Sequence, residues 1–171
     1  AFPNDNLREF DSTNYPNGWW FRGRAYKSWQ DVQYDILPLC KYKVGNALYV
    51  RETWCKGSLN WGAEQYFYRA DENEFYCSWK PSSLMPKEAA RIFLRVTDVR
   101  VEQLQDIRLE GCLAEGVQLT FLEERDLAKR GLIAWQRYST VWDSTIKKSD
   151  IDKYGWDANP WVWVIEFERI S

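Results

Sequence analysis

The chain has no histidine among its 171 residues. That absence removes the commonest general base, the usual imidazole metal ligand and any Ser-His or Cys-His dyad. Chemistry here would fall to carboxylates, Lys, Tyr or Thr. The four cysteines, Cys40, Cys55, Cys77 and Cys112, stand singly with no C-x-x-C pair. A zinc knuckle therefore lacks its spacing, and buried free thiols are expected rather than a disulfide framework. No metal site and no cofactor is expected. There is no apolar run of about 18 residues for a membrane-spanning helix, and no signal-peptide pattern opens the chain; the reading is a soluble, cytoplasmic protein. A large charge excess is lacking too: the net charge is −2 and the pI about 5.4, so any hold on nucleic acid must come from a local patch rather than from the average field. Internal repeats and low-complexity tracts are also missing.

What is present is ring surface. The composition is 45% hydrophobic and 17% aromatic, with 11 Trp, which excludes a disordered chain and is enough for one domain with a core. Residues 1–41, rich in Asn, Asp, Gly, Tyr and Trp, read as an irregular aromatic segment with a turn at Pro16-Asn17-Gly18 and a short strand after it. Position 1 is not methionine, and the natural N-terminus is expected upstream.

From Tyr42 the pattern sharpens into a domain spanning 42–171. "YKVGNALYVRETW" offers a turn at Gly45-Asn46 and then a β-rich run; "EQYFYRAD" reads as a second strand and "EFYCSWKPSSLMP" as a third short piece closed by Pro81 and Pro86. "PKEAA" suits one helical turn. "RIFLRVTDVRVEQL" alternates, with Ile92, Leu94 and Val96 on one side and Phe93, Arg95 and Thr97 on the other. A short helix is expected in "QDIRLEGCLAEGV", with Asp106 as N-cap and Gly116 as stop. "TFLEERDLAKRG" reads as a second helix, and Trp135, Tyr138, Trp142 and Ile146 mark a third by their spacing. "NPWVWVIEFERI" is apolar on both faces through Ile165, as a central strand is. The sum is α+β, a small mixed β-barrel of about five or six strands flanked by short helices.

Several ordered motifs, "YKVGNALYVRETW", "YRAD" at 68–71, "WKPSSLMPKEAARIFLRVTDVRVEQLQDI", "AEGV" at 114–117, "WDS" at 142–144 and "ANPWVWVIEF", closely resemble ASCH-domain proteins of the phage and prophage type, over roughly residues 42–171. The resemblance implies a PUA-like barrel and an RNA-linked role, since the superfamily is generally proposed to bind RNA. Some relatives are hydrolases, among them an amidohydrolase of acetylated cytidine and a ribonuclease. The family's Gly-Arg-Lys-Thr segment is not found, "GRAYK" at 23–27 being a poor substitute, and is expected upstream of Ala1. Glu115 alone is then the counterpart of the relatives' acidic catalytic residue. Leu84 stands where many relatives carry a histidine.

The candidate site starts from Arg51 and Glu52, charges set in a β-rich run, where one of two successive side chains must face inward. An inward charge needs a partner. Two readings stay open: an ion pair with Arg69 or Asp71 of the next strand, or a cleft where Arg51 meets a phosphate or base edge and Glu52 accepts from a base amine. Trp54, Trp79 and Trp156, near strand ends beside Arg51, Lys80 and Asn159, are candidates for base stacking. Trp135, Trp142, Trp161 and Trp163 are assigned to the core. Asn159, before Pro160, is a turn residue or a reader of a base edge. Glu115 is a solvated acid or a general acid/base, and Arg91, Arg95 and Arg100 form a solvated outer face. The leading expectation is an RNA- or modified-nucleotide-binding protein using Arg51, Glu52, Trp54, Arg69, Trp79, Lys80 and Asn159. The alternatives are a small hydrolase using Glu115 and an interaction module whose aromatic segment docks on a host protein.

Overall fold

The structure is a computed structural model that describes residues 7–12, 15–58, 62–71 and 77–170. Two compact units emerge, Ala1–Cys40 with Arg100–Val164, and Lys41–Val99 with Ile165–Ser171. The residues up to Cys40, expected as an irregular aromatic segment, group with Arg100–Val164 in the first unit.

The first unit opens on an antiparallel meander of β1 (Leu7–Ser12), β2 (Tyr15–Phe21) and β3 (Arg24–Tyr26). Pro16, Asn17 and Gly18, expected as a turn, lie inside β2, with Gly18 opposite Phe10. The sharp reversal comes later, at Arg22-Gly23, both with positive φ (49° and 82°) between the paired Phe21 and Arg24. That is the two-residue hairpin whose twist suits the flanking strands. Helix α1 (Trp29–Ile36) follows, begun by Ser28, whose hydroxyl accepts the Asp31 N–H at 3.2 Å. Val32 and Ile36, one turn apart, are buried with Leu7, Phe21, Tyr26 and Val101. Trp19, Trp29 and Trp161 pack on that core, the Trp29 and Trp161 rings stacked at 5.0 Å. Removing the aromatic segment would thus empty a core rather than detach a docking arm.

The rest of this unit is helical. Helix α2 (Leu109–Ala114) is preceded by Arg108 at its N-cap, while Asp106 closes a short 3-10 turn, Leu104–Asp106, so the expected aspartate cap is not made. Gly116 does stop α2: at φ 93° its N–H reaches Leu113 O at 3.0 Å and the Val117 N–H reaches Cys112 O at 3.1 Å. Helix α3 (Phe121–Arg125) carries a capping box between Thr120 and Glu123. Helix α4 (Arg130–Thr145) and the one-turn α5 (Ile151–Tyr154) complete the set. Cys112, Ala134, Tyr138, Leu104 and Trp156 form the second core, lined by Trp135 and Trp142.

The second unit contains β4 (Ala47–Tyr49), β5 (Trp54–Gly57) and β6 (Gln65–Tyr68). The turn expected at Gly45-Asn46 is present, with Lys43 N–H on the Asn46 side-chain oxygen at 2.9 Å. Of the third expected short piece, 74–76 lies outside the described residues and Lys80 contributes a single bridge to Trp54. "PKEAA" makes the 3-10 turn Lys87–Ala89 after Pro86. Two long strands, β7 (Phe93–Gln103) and β8 (Trp161–Arg169), each begin in one unit and end in the other. Along β7 the buried positions change phase by one residue, from Val96 to Val99 and Val101.

The fold is mixed α+β, with eight strands and five α-helices among the described residues. The strands form three sheets, ordered β1-β2-β3, β4-β7-β8 and β5-β6, and do not close into a barrel among those residues. In this order β8 ends its sheet instead of standing at the centre. Its apolar character on both faces has another cause: Trp161 and Trp163 pack on the first core, while Val162 between them packs on the second.

Two glycines should respond oppositely to alanine. Gly131, in the first turn of α4, has open space where a Cβ would sit, so Gly131→Ala should raise unfolding free energy by about 0.5 kcal/mol. At Gly155 a Cβ would meet Ile151 O at 2.5 Å, and Gly155→Ala should cost about 1–3 kcal/mol in denaturant unfolding. Burial, then the nearby Glu115 charge, pushes the Tyr138 hydroxyl up from 10.0 to about 12. The neutral phenol is thus favoured in the folded state: its contribution is full below pH 10 and is lost as pH rises toward 12. Tyr138→Phe should remove that component from an alkaline unfolding curve.

Candidate functional site

The strand β4 ends at Tyr49, and after the Val50 N–H bond to Ile92 O the chain leaves the sheet, so Arg51 and Glu52 sit in a connection rather than a strand. It re-enters as β5, which pairs with β6 in the register Trp54↔Tyr68. Arg69 N–H then bonds Thr53 O, and Trp54 and Lys80 exchange two backbone bonds of 3.1 and 2.7 Å. These bonds draw 51–54, 69–71 and 80 to one end of the β5–β6 ribbon. The following loop is set by prolines: Pro81 and Pro86 are extended (φ −64° and −74°) and each leads into one 3-10 turn, Ser82–Leu84 and Lys87–Ala89.

At the centre is a charge cluster. The Glu52 carboxylate, its side chain 11% exposed, receives Arg91 through two bonds, Nε to Oε2 at 2.9 Å and Nη2 to Oε1 at 2.7 Å. The remaining Arg91 nitrogen, Nη1, reaches Asp71 at 2.8 Å. The guanidinium lies 4.0 Å from the centre of the Tyr68 ring, whose hydroxyl donates to Ala89 O. Hydrogen bonding to Glu52 holds Arg91 protonated well above its ordinary range, and burial pushes the Tyr68 hydroxyl up. Such a fork-to-fork pair is planar and specific in geometry.

Around this cluster stand exposed cations. Arg51 donates to the Tyr49 hydroxyl at 3.1 Å and to Ser83 O at 3.3 Å, lying over the Tyr49 ring at 5.5 Å. Lys80 holds its ammonium 4.9 Å above the Trp54 ring, and Arg69 is exposed beside them.

Of the expected site residues, Arg51, Glu52, Trp54, Arg69, Trp79 and Lys80 belong to this unit, whereas Asn159 and Glu115 belong to the other. Glu52 does form an ion pair, but with Arg91 rather than Arg69 or Asp71; Asp71 is a second acceptor on the same arginine. Trp54 is 6% exposed and packs with Met85 and Ala89, so its ring is core, not an open stacking face. Trp156 is likewise buried, in the second core. Trp79 is half-buried. Asn159 is the turn residue: at φ 43° it caps a 3-10 turn, and its side-chain oxygen accepts the Gln105 N–H at 2.8 Å. Glu115 is exposed at the C-cap of α2. Beside it a groove of about 690 Å³ is lined by Gly116, Gln118, Gln136 and Arg137. Its arginine is committed to Glu123 at 2.8 Å and to Gln118 O.

Sequence reasoning missed Arg91, Tyr49, Tyr68, Ser83 and one covalent bond. Arg91, expected on a solvated face with Arg95 and Arg100, is held instead between Glu52 and Asp71; Arg95 does sit exposed, 3.6 Å from Glu168. Cys55 and Cys77 form a disulfide with their Cα atoms 6.3 Å apart, while Cys40 and Cys112 are free and buried. The pair forms because the Trp54–Lys80 bridge sets Cys77 beside β5, a closeness that a separation of 22 residues in sequence does not reveal. Such a crosslink stabilises by about 3 kcal/mol on loop-entropy grounds. No group of side chains among the described residues is arranged to hold a metal ion, and no helix there is long and apolar enough to cross a membrane. Compared with protein-family models, with characterised proteins and with solved structures, the chain matches none.

Truncating Arg91 would leave Glu52 enclosed and unpaired. Arg91→Leu should cost about 1–3 kcal/mol in urea unfolding, Glu52→Gln less, and the double variant less than the sum. Additive losses would show that the two side chains are not coupled.

Proposed function

We propose that the chain is an RNA- or nucleotide-binding protein of the ASCH type, and that the Trp54–Tyr68 end of the β5–β6 ribbon is its binding face. The observation that carries this reading is the convergence of three exposed cations, Arg51, Arg69 and Lys80, on one ribbon end through backbone bonds. Glu52 and Asp71 are both occupied by Arg91, which offsets one of their two charges, and Arg51, Arg69 and Lys80 outnumber the charge that remains, so the outer rim is basic. That is how a chain of net charge −2 can still present a local attraction for phosphates.

In this reading Arg51, Arg69 and Lys80 meet phosphate oxygens, and the half-buried Trp79 next to Lys80 offers a ring face to a base. Glu52 shapes the face through Arg91 instead of reading a base amine. The PUA-like barrel belongs to the same proposal: β4, β5, β6, the first part of β7 and the last part of β8 all lie in this unit, and they are the strands from which a small barrel would be built. Glu115, exposed on a helix end of the other unit, lends the hydrolase alternative no support.

Anisotropy of a labelled single-stranded RNA, titrated with the full chain at several salt concentrations, tests the reading. Binding should weaken with salt, Arg51→Ala and Lys80→Ala should each flatten the log–log slope by about 0.7, and Trp79→Ala should cost about 1–3 kcal/mol of affinity. Absence of binding at low salt to RNA and to mononucleotides alike overturns it.

A further inference from the structure

We propose that the Cys55–Cys77 disulfide is a redox latch on this binding face, set so that the oxidised chain binds nucleic acid more tightly than the reduced one. The proposal rests on the nucleic-acid reading above for its consequence, but the latch itself is a matter of how the segment 77–80 is held.

That segment has a small set of ties to the ribbon. Lys80 is joined to Trp54 by two backbone bonds and sets its ammonium over the Trp54 ring. Three residues earlier, Cys77 is covalently joined to Cys55, the residue next to Trp54 on β5. Trp79 and Lys80, the ring and one of the cations of the proposed face, therefore lie in a short piece of chain pinned at both ends to adjacent residues of one strand. Beyond it, Pro81 fixes the direction of the loop. Opening the disulfide removes one of the two pins and leaves the backbone bridge, with the Lys80 ammonium over the Trp54 ring, to order the pair.

The two bridged residues differ in exposure. Cys55 is 1% exposed in the ribbon, whereas Cys77 is half-buried in the connection. A thiolate of an external dithiol therefore attacks the Cys77 sulfur; the S–S bond breaks and the Cys55 sulfur leaves as a thiolate that takes up a proton. The second thiol of the reductant then closes on the mixed disulfide and releases Cys77 as its thiol. In sum the protein pair gains two electrons and two protons and the dithiol becomes a disulfide. In a compartment kept reducing by dithiols, bonds of this kind are transient rather than permanent struts. Cys40 and Cys112, both buried and unbridged, are bystanders that provide an internal count.

The experiment compares the intact chain in air with the chain after treatment with excess dithiothreitol. Alkylation of the denatured protein should count two thiols before reduction and four after it, from the one bridged pair and the two free cysteines. Amide hydrogen exchange at Trp54 and Lys80 should accelerate on reduction, a readout that needs no RNA. Affinity for labelled single-stranded RNA should fall about three- to tenfold through lost preorganisation. Cys77→Ser should resemble the reduced chain and be insensitive to the dithiol, and reduction of the unsubstituted chain keeps the test open if that variant does not fold. Four thiols before reduction, unchanged exchange at Lys80, or a dithiol effect that persists in Cys77→Ser would each overturn the latch. Equal RNA affinity in both states would overturn the gating while the binding reading stands. Faster exchange with no RNA binding in either state would leave the tether in place and remove the binding reading, and the gating with it.

Discussion

A carboxylate that is almost enclosed must be neutralised by something, and at Glu52 that requirement organises the whole second unit. Its side chain is 11% exposed, too little for water to solvate a full charge cheaply. Arg91 answers with a planar two-point contact and uses its third nitrogen on Asp71. The guanidinium plane rests on Tyr68, which is tied in turn to Ala89. One cation thus joins the connection after β4, the turn after β6 and the loop before β7. Because those are also the pieces that carry Arg51 and Arg69, the position of the exposed charges follows from the enclosed one.

Aromatic rings do the comparable work in the first unit. Trp19, Trp29 and Trp161 bring a strand, a helix start and a distant strand into contact, with ring centres 4.6 to 5.5 Å apart. Trp156 meets Trp135 and Tyr138 edge-on in the second core. With indoles in such numbers, burial goes furthest where each ring has another ring or an aliphatic side chain against it. This explains why tryptophans at loop ends, Trp54 and Trp156, turned inward despite positions that resemble those of stacking residues.

Much of the local structure could be read directly. The turn at Lys43–Asn46, the strands β6 and β7, the long helix α4 and the stop at Gly116 all rest on periodicity or on one residue type doing what its geometry favours. The first forty residues were harder to read. Their hairpin turns at Arg22-Gly23, where arginine replaces the usual Asn or Asp and hides the signal, while the Pro-Asn-Gly triplet that looks like a turn is absorbed into β2. Strand β8 misled in another way, since apolar residues on both faces match a central strand and also a strand shared by two cores.

Sequence by itself determined which residues would be charged, ringed or turn-forming, that none of these 171 residues supplies an imidazole, and where charged side chains would need partners. It could not choose those partners. Arg91 is 39 residues from Glu52 and Cys77 is 22 from Cys55, and separations of that size are bridged only when the ribbon end and the proline-bound loop fold against each other. The tertiary structure made those choices because an ion pair and a disulfide depend on distances of a few ångströms, which periodicity and composition do not encode.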